Sequence, residues 1–400
     1  MRPCDANSYS PCFSEGLAAI SEAGYINSRG ELSVKWPHHL GLPFQQGLAS
    51  VRGEVKCTFG YLDPTGAMAI GPCSWNHQGE SFDTGFAVIQ PTADTVALID
   101  RAGEWAVGPA FRAPGWRYSG GWIEKRAQSK VLMENIVTGV SFQLDESYHL
   151  RPFSDGICIA TIPESEGALS TFTAINEDGT IAFSRQSWEQ FYNLIDDFHG
   201  GLALFDGGSE VCFGYINKQG EVQIPDRFRY AYAFQEGLAP VCPYDKSGTP
   251  GWGFIDASGD YVIEPRDEFK GADCFSEGMA AVCAWNMSRD DPPRGEYDDF
   301  ERWGYIDVHG AWTIPPVFSY AGPFREGFAS VRFKFVNSHD DLYDSDGELN
   351  ESHCSRALIS QDGTFIWPPK LNGRNIKEVI TADPRGPKQN VPPFLVLLRD

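Results

Sequence analysis

One short pattern recurs nine times along the chain and limits its fold more than any other feature. It reads as an aromatic residue, two mostly polar positions, glycine, and then an alternating apolar run. Clear copies are FSEGLAAI from Phe13, FQQGLASV from Phe44, FDTGFAVI from Phe82, FQEGLAPV from Phe234, FSEGMAAV from Phe275 and FREGFASV from Phe324. Weaker copies start at Tyr118, Phe153 and Phe198, so the anchoring glycines are Gly16, Gly47, Gly85, Gly121, Gly156, Gly201, Gly237, Gly278 and Gly327. A fixed pattern of this kind marks a tandem array of one supersecondary unit rather than one large core.

A second anchor alternates with the first: glycine, an aromatic, Ile, Asp or Asn, and a turn closing on glycine. It appears as GYINSRG from Gly24, GYLDPTG from Gly60, GYINKQG from Gly214, GFIDASG from Gly253 and GYIDVHG from Gly304, with degenerate forms from Ala97, Thr173 and Ala357. The poorest match, MENIVTG from Met133, lies in the least regular stretch, about residues 97–180. The closing glycine suits a hairpin turn that needs positive φ. A short apolar segment ending on Pro follows, as in EVQIPDRF and AWTIPPVF.

Apolar residues alternate at both anchors, which is strand periodicity. Each unit is therefore expected to be three short antiparallel strands, with Pro ending the third. An aromatic fraction of 13% fits half-buried sheet surfaces. The first aromatic of each copy is expected to stack in the core between adjacent units. The recurring acids Glu15, Glu236, Glu277 and Glu326 point to a repeated local hydrogen bond, because an active site needs one constellation and not a periodic one.

The pairs Trp252-Gly253 and Trp303-Gly304, each running into an aromatic-Ile-Asp hairpin, resemble the WG (KWG) repeat found mainly in bacterial proteins. The resemblance spans roughly residues 13 to 369, with Phe-Gly replacing Trp-Gly at Phe59-Gly60 and Phe213-Gly214. It implies an all-β repeat scaffold and brings no common catalytic residues. Two architectures fit about nine tandem three-stranded units. An open spiralling stack is favoured, and a propeller-like ring is the alternative. The array is expected to occupy residues 1–369. Residues 370–400 are read as a Pro-rich basic linker (Lys370, Arg374, Lys377, Arg385, Lys388) and a capping strand from Phe394.

Spacing separates framework from variable parts. From hairpin glycine to the next anchor the interval is nearly constant, as in Gly30 to Gly47, Gly220 to Gly237 and Gly310 to Gly327, each 17 residues. Between the two anchors it runs from 8 (Gly16 to Gly24) to 26 (Gly278 to Gly304) and 30 (Gly327 to Ala357). Insertions at one point of a stacked unit emerge on one face, where binding usually resides. The two longest are acidic. One carries Asp290, Asp291, Glu296, Asp298, Asp299 and Glu301 with Tyr297; the other carries Asp340, Asp341, Asp344, Asp346, Glu348 and Glu351 with Tyr343. They are the candidate contact surface for a basic protein partner, with the tyrosines as anchors.

A net charge of −22 disfavours nucleic acid and anionic membrane as partners. No run of about 18 apolar residues occurs, and no secretory signal is visible at the first residues. The ten cysteines form no C-x-x-C pair and match no zinc spacing, so reduced thiols and a cytoplasmic location are expected. Asp344-Ser-Asp346-Gly347 fails as a calcium loop, since its register puts Leu342 and His353 at ligand positions. The eight histidines share no ligand spacing, and no nucleophile elbow, phosphate loop or dinucleotide fingerprint occurs. No catalytic residues, metal or cofactor are expected. The expected function is a protein-interaction scaffold, in particular an inhibitor or immunity-type protein. The alternative is a glycan- or ligand-binding repeat protein.

Overall fold

The computed structural model describes residues 12–367 apart from 21–22, 39–40, 54, 56–57, 112–115, 128, 163–170, 187–192, 195, 208–211, 245–250, 286–300 and 335–353, together with 370–371 and 374–375. Every described element is a strand or a turn. The described strands form eight antiparallel sheets, each in chain order, and a two-stranded hairpin. The first comprises Phe13–Ser14, Leu17–Ile20, Gly24–Asn27 and Leu32–Lys35. The sheet of the eighth repeat comprises Phe269–Ser276, Met279–Trp285, Glu301–Asp307 and Trp312–Phe318.

Five of these sheets have four strands rather than the three expected, because the segment at or just before the aromatic anchor forms a first strand of its own. Where the anchor itself is in that strand, it pairs with the second strand across a two-residue turn, as in Ser14↔Leu17, Ser119↔Trp122 and Ser276↔Met279. Both turn residues have positive φ, for example Glu277 at 54° and Gly278 at 76°. That is the type I′ geometry whose twist matches paired strands.

Proline does not end the last strand either. Pro315 and Pro316 lie inside Trp312–Phe318, and the pairing jumps from Tyr305↔Ile314 to Trp303↔Phe318. The displaced residues form a bulge, which tolerates a residue without an N–H. This explains the glycine of the second anchor. A Cβ on Gly304 would stand 2.5 Å from the Ile314 carbonyl oxygen.

The constant spacing has a direct structural reason. Tyr25, Tyr61 and Tyr305, fully buried on the last strand but one of their sheets, meet the next repeat's Phe44, Phe82 and Phe324 edge-on at 4.7–4.9 Å between ring centres. Each hydroxyl donates to the carbonyl two residues before that aromatic: Leu42 (2.9 Å), Glu80 (2.7 Å) and Gly322 (2.7 Å). The anchor aromatics are thus the expected inter-repeat core. In the Met133 copy, Asn135 takes the turn-initiating place, accepting from Val137 and Thr138 N–H, and Gly139 N–H bonds back to Asn135 O. That turn holds one residue more than the others. Met133, and not Glu134, therefore occupies the tyrosine position.

By internal contacts the chain divides into two units. One holds Phe13–Asn27 and Glu31–Ala233; the other holds Ser28–Gly30 and the described residues from Phe234 on. The second grouping corrects the expected architecture. A Cβ added at Gly310 would meet Ile263, and one at Gly363 would meet Ile314, so these hairpin turns rest on the last strand of the repeat before them. Gly30 of the first repeat makes the same contact with Ile366 of the last, where its Cβ would lie 2.2 Å from the carbonyl oxygen. An open stack keeps its first and last repeats apart. The small antiparallel sheets are those of a β-propeller, and the spiralling stack is not supported. Lys370–Leu371 and Arg374–Asn375 form a separate short hairpin, and the expected capping strand from Phe394 lies outside the described residues.

Candidate functional site

Strand direction gives each sheet two unlike ends. The type I′ turn and the third-to-fourth hairpin share one end; the second-to-third connection lies at the other. Both acidic insertions occupy that second position. One joins Met279–Trp285 to Glu301–Asp307 after the pair Trp285↔Glu301, and the other joins Phe328–Lys334 to Cys354–Ser360 after Lys334↔Cys354. The two repeats share one core, in which Met279, Ala281, Tyr305 and Ile314 pack with Phe324, Val331 and Ile359. The insertions therefore leave adjacent sheets at the same end.

Asp290, Asp291, Glu296, Tyr297, Asp298 and Asp299 lie outside the described residues, as do Asp340, Asp341, Tyr343, Asp344, Asp346, Glu348 and Glu351. Of the candidate residues, Glu301 alone is placed, as the first residue of its strand. The structure also puts basic residues at this end that sequence reading passed over. Arg302 follows Glu301 and is buried, and Arg332 sits with its guanidinium 5.3 Å from the Tyr320 ring centre. Their signal was weak because each is a single charge in an apolar strand.

The other end is closed by the recurring acids. The Glu15 carboxylate accepts from Gly47 N–H (2.7 Å), and Glu236 accepts from Glu277 and Gly278 N–H (2.6 and 2.9 Å). Gln46 and Asp155 do the same for Gly85 and Gly201, both at 2.8 Å. The repeated bond is real, but it links neighbouring repeats rather than acting locally. Serines add to it: Ser154 and Ser276 hydroxyls donate to the carbonyls of Phe198 and Phe324, each at 2.6 Å. At the same end Asp63, Asp256 and Asp307 cap their hairpins. Thr65 Oγ holds Asp63 below the ordinary carboxylate range, Ser258 Oγ does so for Asp256, and Ala311 N–H for Asp307.

The Trp-Gly units fit this frame. Trp252 is buried beside Phe254 and Phe269, while Trp303 packs half-buried on the next repeat's core. The family model of the WG-containing repeat matches residues 213–246, 252–284 and 303–334. These segments are WG repeats. Their boundaries follow the structure, since each matched segment starts in the strand that carries its Trp-Gly or Phe-Gly pair and takes in the strand after the next aromatic anchor. No curated protein matches the chain in sequence. Among solved structures, a eukaryotic initiation factor is similar at 10% identity, covering 89% of this chain and 94% of its own, with a TM-score of 0.53. BamB from Moraxella catarrhalis reaches a TM-score of 0.34 at 10% identity, covering 69% and 88%. The first likeness is one of fold alone.

Among the described residues no three His, Cys, Asp or Glu side chains gather to hold a metal ion. No helix among the described residues is long and apolar enough to cross a membrane. Cys73 and Cys158 are free thiols among the described residues.

Proposed function

We propose that this WG-repeat chain is a protein-interaction scaffold that recognises a basic protein through the acidic insertions of its last two repeats. The observation that carries the reading is their shared placement. Both insertions join second and third strands of repeats that pack on one core, so their exit points lie on neighbouring strands at one end of that core. A net charge of −22 adds long-range attraction for a basic surface. The finer reading is an inhibitor or immunity-type protein that masks a toxin or enzyme, acting in the cytoplasm, where free thiols persist.

The partner is to be captured from the native host on the intact chain and identified by mass spectrometry. Its affinity is then compared for the intact chain and a variant with Asp290, Asp291, Asp298, Asp299, Asp340, Asp341, Asp344 and Asp346 changed to Asn. Weaker binding and a shallower salt dependence are expected of the variant. Full affinity after deleting 290–299 and 340–350 would overturn the reading.

A further inference from the structure

At the junctions of Tyr25, Tyr61 and Tyr305 a tyrosine on the last strand but one fills the gap between repeats and bonds the neighbouring backbone. In the irregular stretch that position holds Leu98, Met133 and Ala174, each lacking the ring and hydroxyl. The carbonyl of Arg151, two residues before Phe153, takes the Cys158 thiol at 3.0 Å instead of a tyrosine hydroxyl. A cavity of about 280 Å³ opens here, bounded by Met133, Trp116, Tyr118, Arg151 and Phe153 among others. The loss of the repeat signature and the cavity are one event in the fold.

Its polar equipment is built. Glu124 lines the cavity and is only 6% exposed. Its Oε1 accepts from Arg126 Nε at 2.7 Å, and Arg126 is itself pinned by donating to the Glu146 and Tyr148 carbonyls at 3.0 and 2.6 Å. Oε2 of Glu124 receives no hydrogen bond among the described residues. The Trp116 indole N–H, shielded from solvent, also lacks a partner among them. A shielded donor without an acceptor is unfavourable, so a ligand that accepts from it gains directly. The lining further holds Glu80, Arg117 and Ser119, and its carboxylates and guanidiniums balance at two each with Glu124 and Arg151.

We infer that this cavity binds a single neutral sugar ring. Balanced charge disfavours an ion. Planar carboxylate and guanidinium groups suit hydroxyls that both donate and accept, and Trp116, Tyr118 and Phe153 offer apolar surface to a ring's C–H face. The volume lies at the lower edge of the range for small-molecule pockets, about 300–1,000 Å³, which fits one ring rather than a chain of them.

The test titrates the intact chain with glucose, galactose, mannose and N-acetylglucosamine, followed by tryptophan fluorescence and calorimetry. Saturable binding with a dissociation constant on the order of 1 mM is expected for at least one of them. Met133→Tyr restores the junction tyrosine and fills the cavity, so it should abolish binding while leaving the thermal midpoint equal or higher. Trp116→Phe keeps a ring but removes the N–H, and should weaken binding about tenfold. Absence of saturable binding by all four sugars overturns the inference, as does binding unchanged in Met133→Tyr or saturation by tetramethylammonium in their place. Capture of the protein partner stays unchanged in these variants, which separates this site from the acidic insertions.

Discussion

The carboxylate of Glu277 accepts the backbone N–H of Gly327 at 2.7 Å, and it accepts the N–H of Glu326 as well. Glu277 and Glu326 stand at the same place in successive repeats, each in a type I′ turn. One side chain thus satisfies two donors that the neighbouring turn leaves unpaired. Glu277 is also on the receiving side, since its own N–H donates to Glu236 at 2.6 Å. Glu277→Ala is expected to lower stability by about 1–2 kcal/mol, the range for a charge-assisted hydrogen bond that is partly solvated. Alanine and glutamate bear a similar cost at positive φ, so the loss reports the carboxylate. Urea unfolding of the variant and of Glu236→Ala measures it. An unshifted midpoint in both would show that the ladder adds nothing.

Tyr305 tests the junction. Its hydroxyl reaches Gly322 O from a fully buried position, and its ring lies 4.7 Å from that of Phe324. Tyr305→Phe keeps the ring contact and strands a buried carbonyl, for an expected loss of about 1–3 kcal/mol. Tyr305→Ala also removes the ring, and about 3–5 kcal/mol is expected. The ordering of the two thermal midpoints is the check.

Much of this is legible in sequence, for one reason: the repeat multiplies each signal. Nine aromatic anchors and nine turn glycines identify strands, turns and the inter-repeat core without reference to tertiary structure. What fails is whatever depends on the relation between repeats. The glutamates are visible as periodic, but a bond from Glu236 to Gly278 spans 42 residues, and periodicity does not say which copy is the partner. Gly30 of the first repeat meets Ile366 of the last, and sequence gives no sign of that contact. The Met133 turn falls out of alignment because one inserted residue shifts Asn135 against the pattern. Of the acidic candidates only Glu301 is placed, so for those residues the sequence supplies the charge and the strands supply only the exit points.

Gly304 separates conformational need from packing. Its φ is not in the positive region, yet a Cβ would sit 2.5 Å from Ile314 O and 2.7 Å from the Pro315 carbonyl carbon. Both atoms are backbone and cannot swing away. Gly304→Ala is expected to destabilise by about 3 kcal/mol or more, because the bulge that holds Pro315 and Pro316 must open. Gly108→Ala, where a Cβ meets nothing within 4 Å, should stay within about 0.5 kcal/mol. Similar midpoints for the two variants would remove the steric account of the Trp-Gly motif.

Cys158 offers a probe of local opening. Burial, with the charges of Glu124 and Asp197 behind it, pushes the thiol up to about 12. At pH 8 the folded thiol should react with iodoacetamide far more slowly than the same thiol in urea, where an ordinary value near 8.5 applies. Mass spectrometry of the labelled peptide measures the ratio. Equal rates would mean that this strand opens freely.

The hairpin aspartates set the acid limb of stability. Asp63, Asp256 and Asp307 titrate below the ordinary carboxylate range when folded, because turn hydroxyls and N–H groups hold their charged forms. Unfolded, they return to about 3.9. A depressed folded value means that the unfolded chain binds protons first as pH falls. Their contribution is therefore complete above about pH 5 and is lost as pH drops through the folded values. Asn27 and Asn217 fill the same place in other repeats, with Asn217 Oδ1 accepting from Gln219 and Glu221 N–H at 3.0 Å. An amide oxygen thus serves the turn without a charge. The triple change of Asp63, Asp256 and Asp307 to Asn should leave the thermal midpoint near neutral pH little altered and flatten its fall below about pH 4. An acid limb as steep as that of the unaltered chain would assign the loss to other carboxylates.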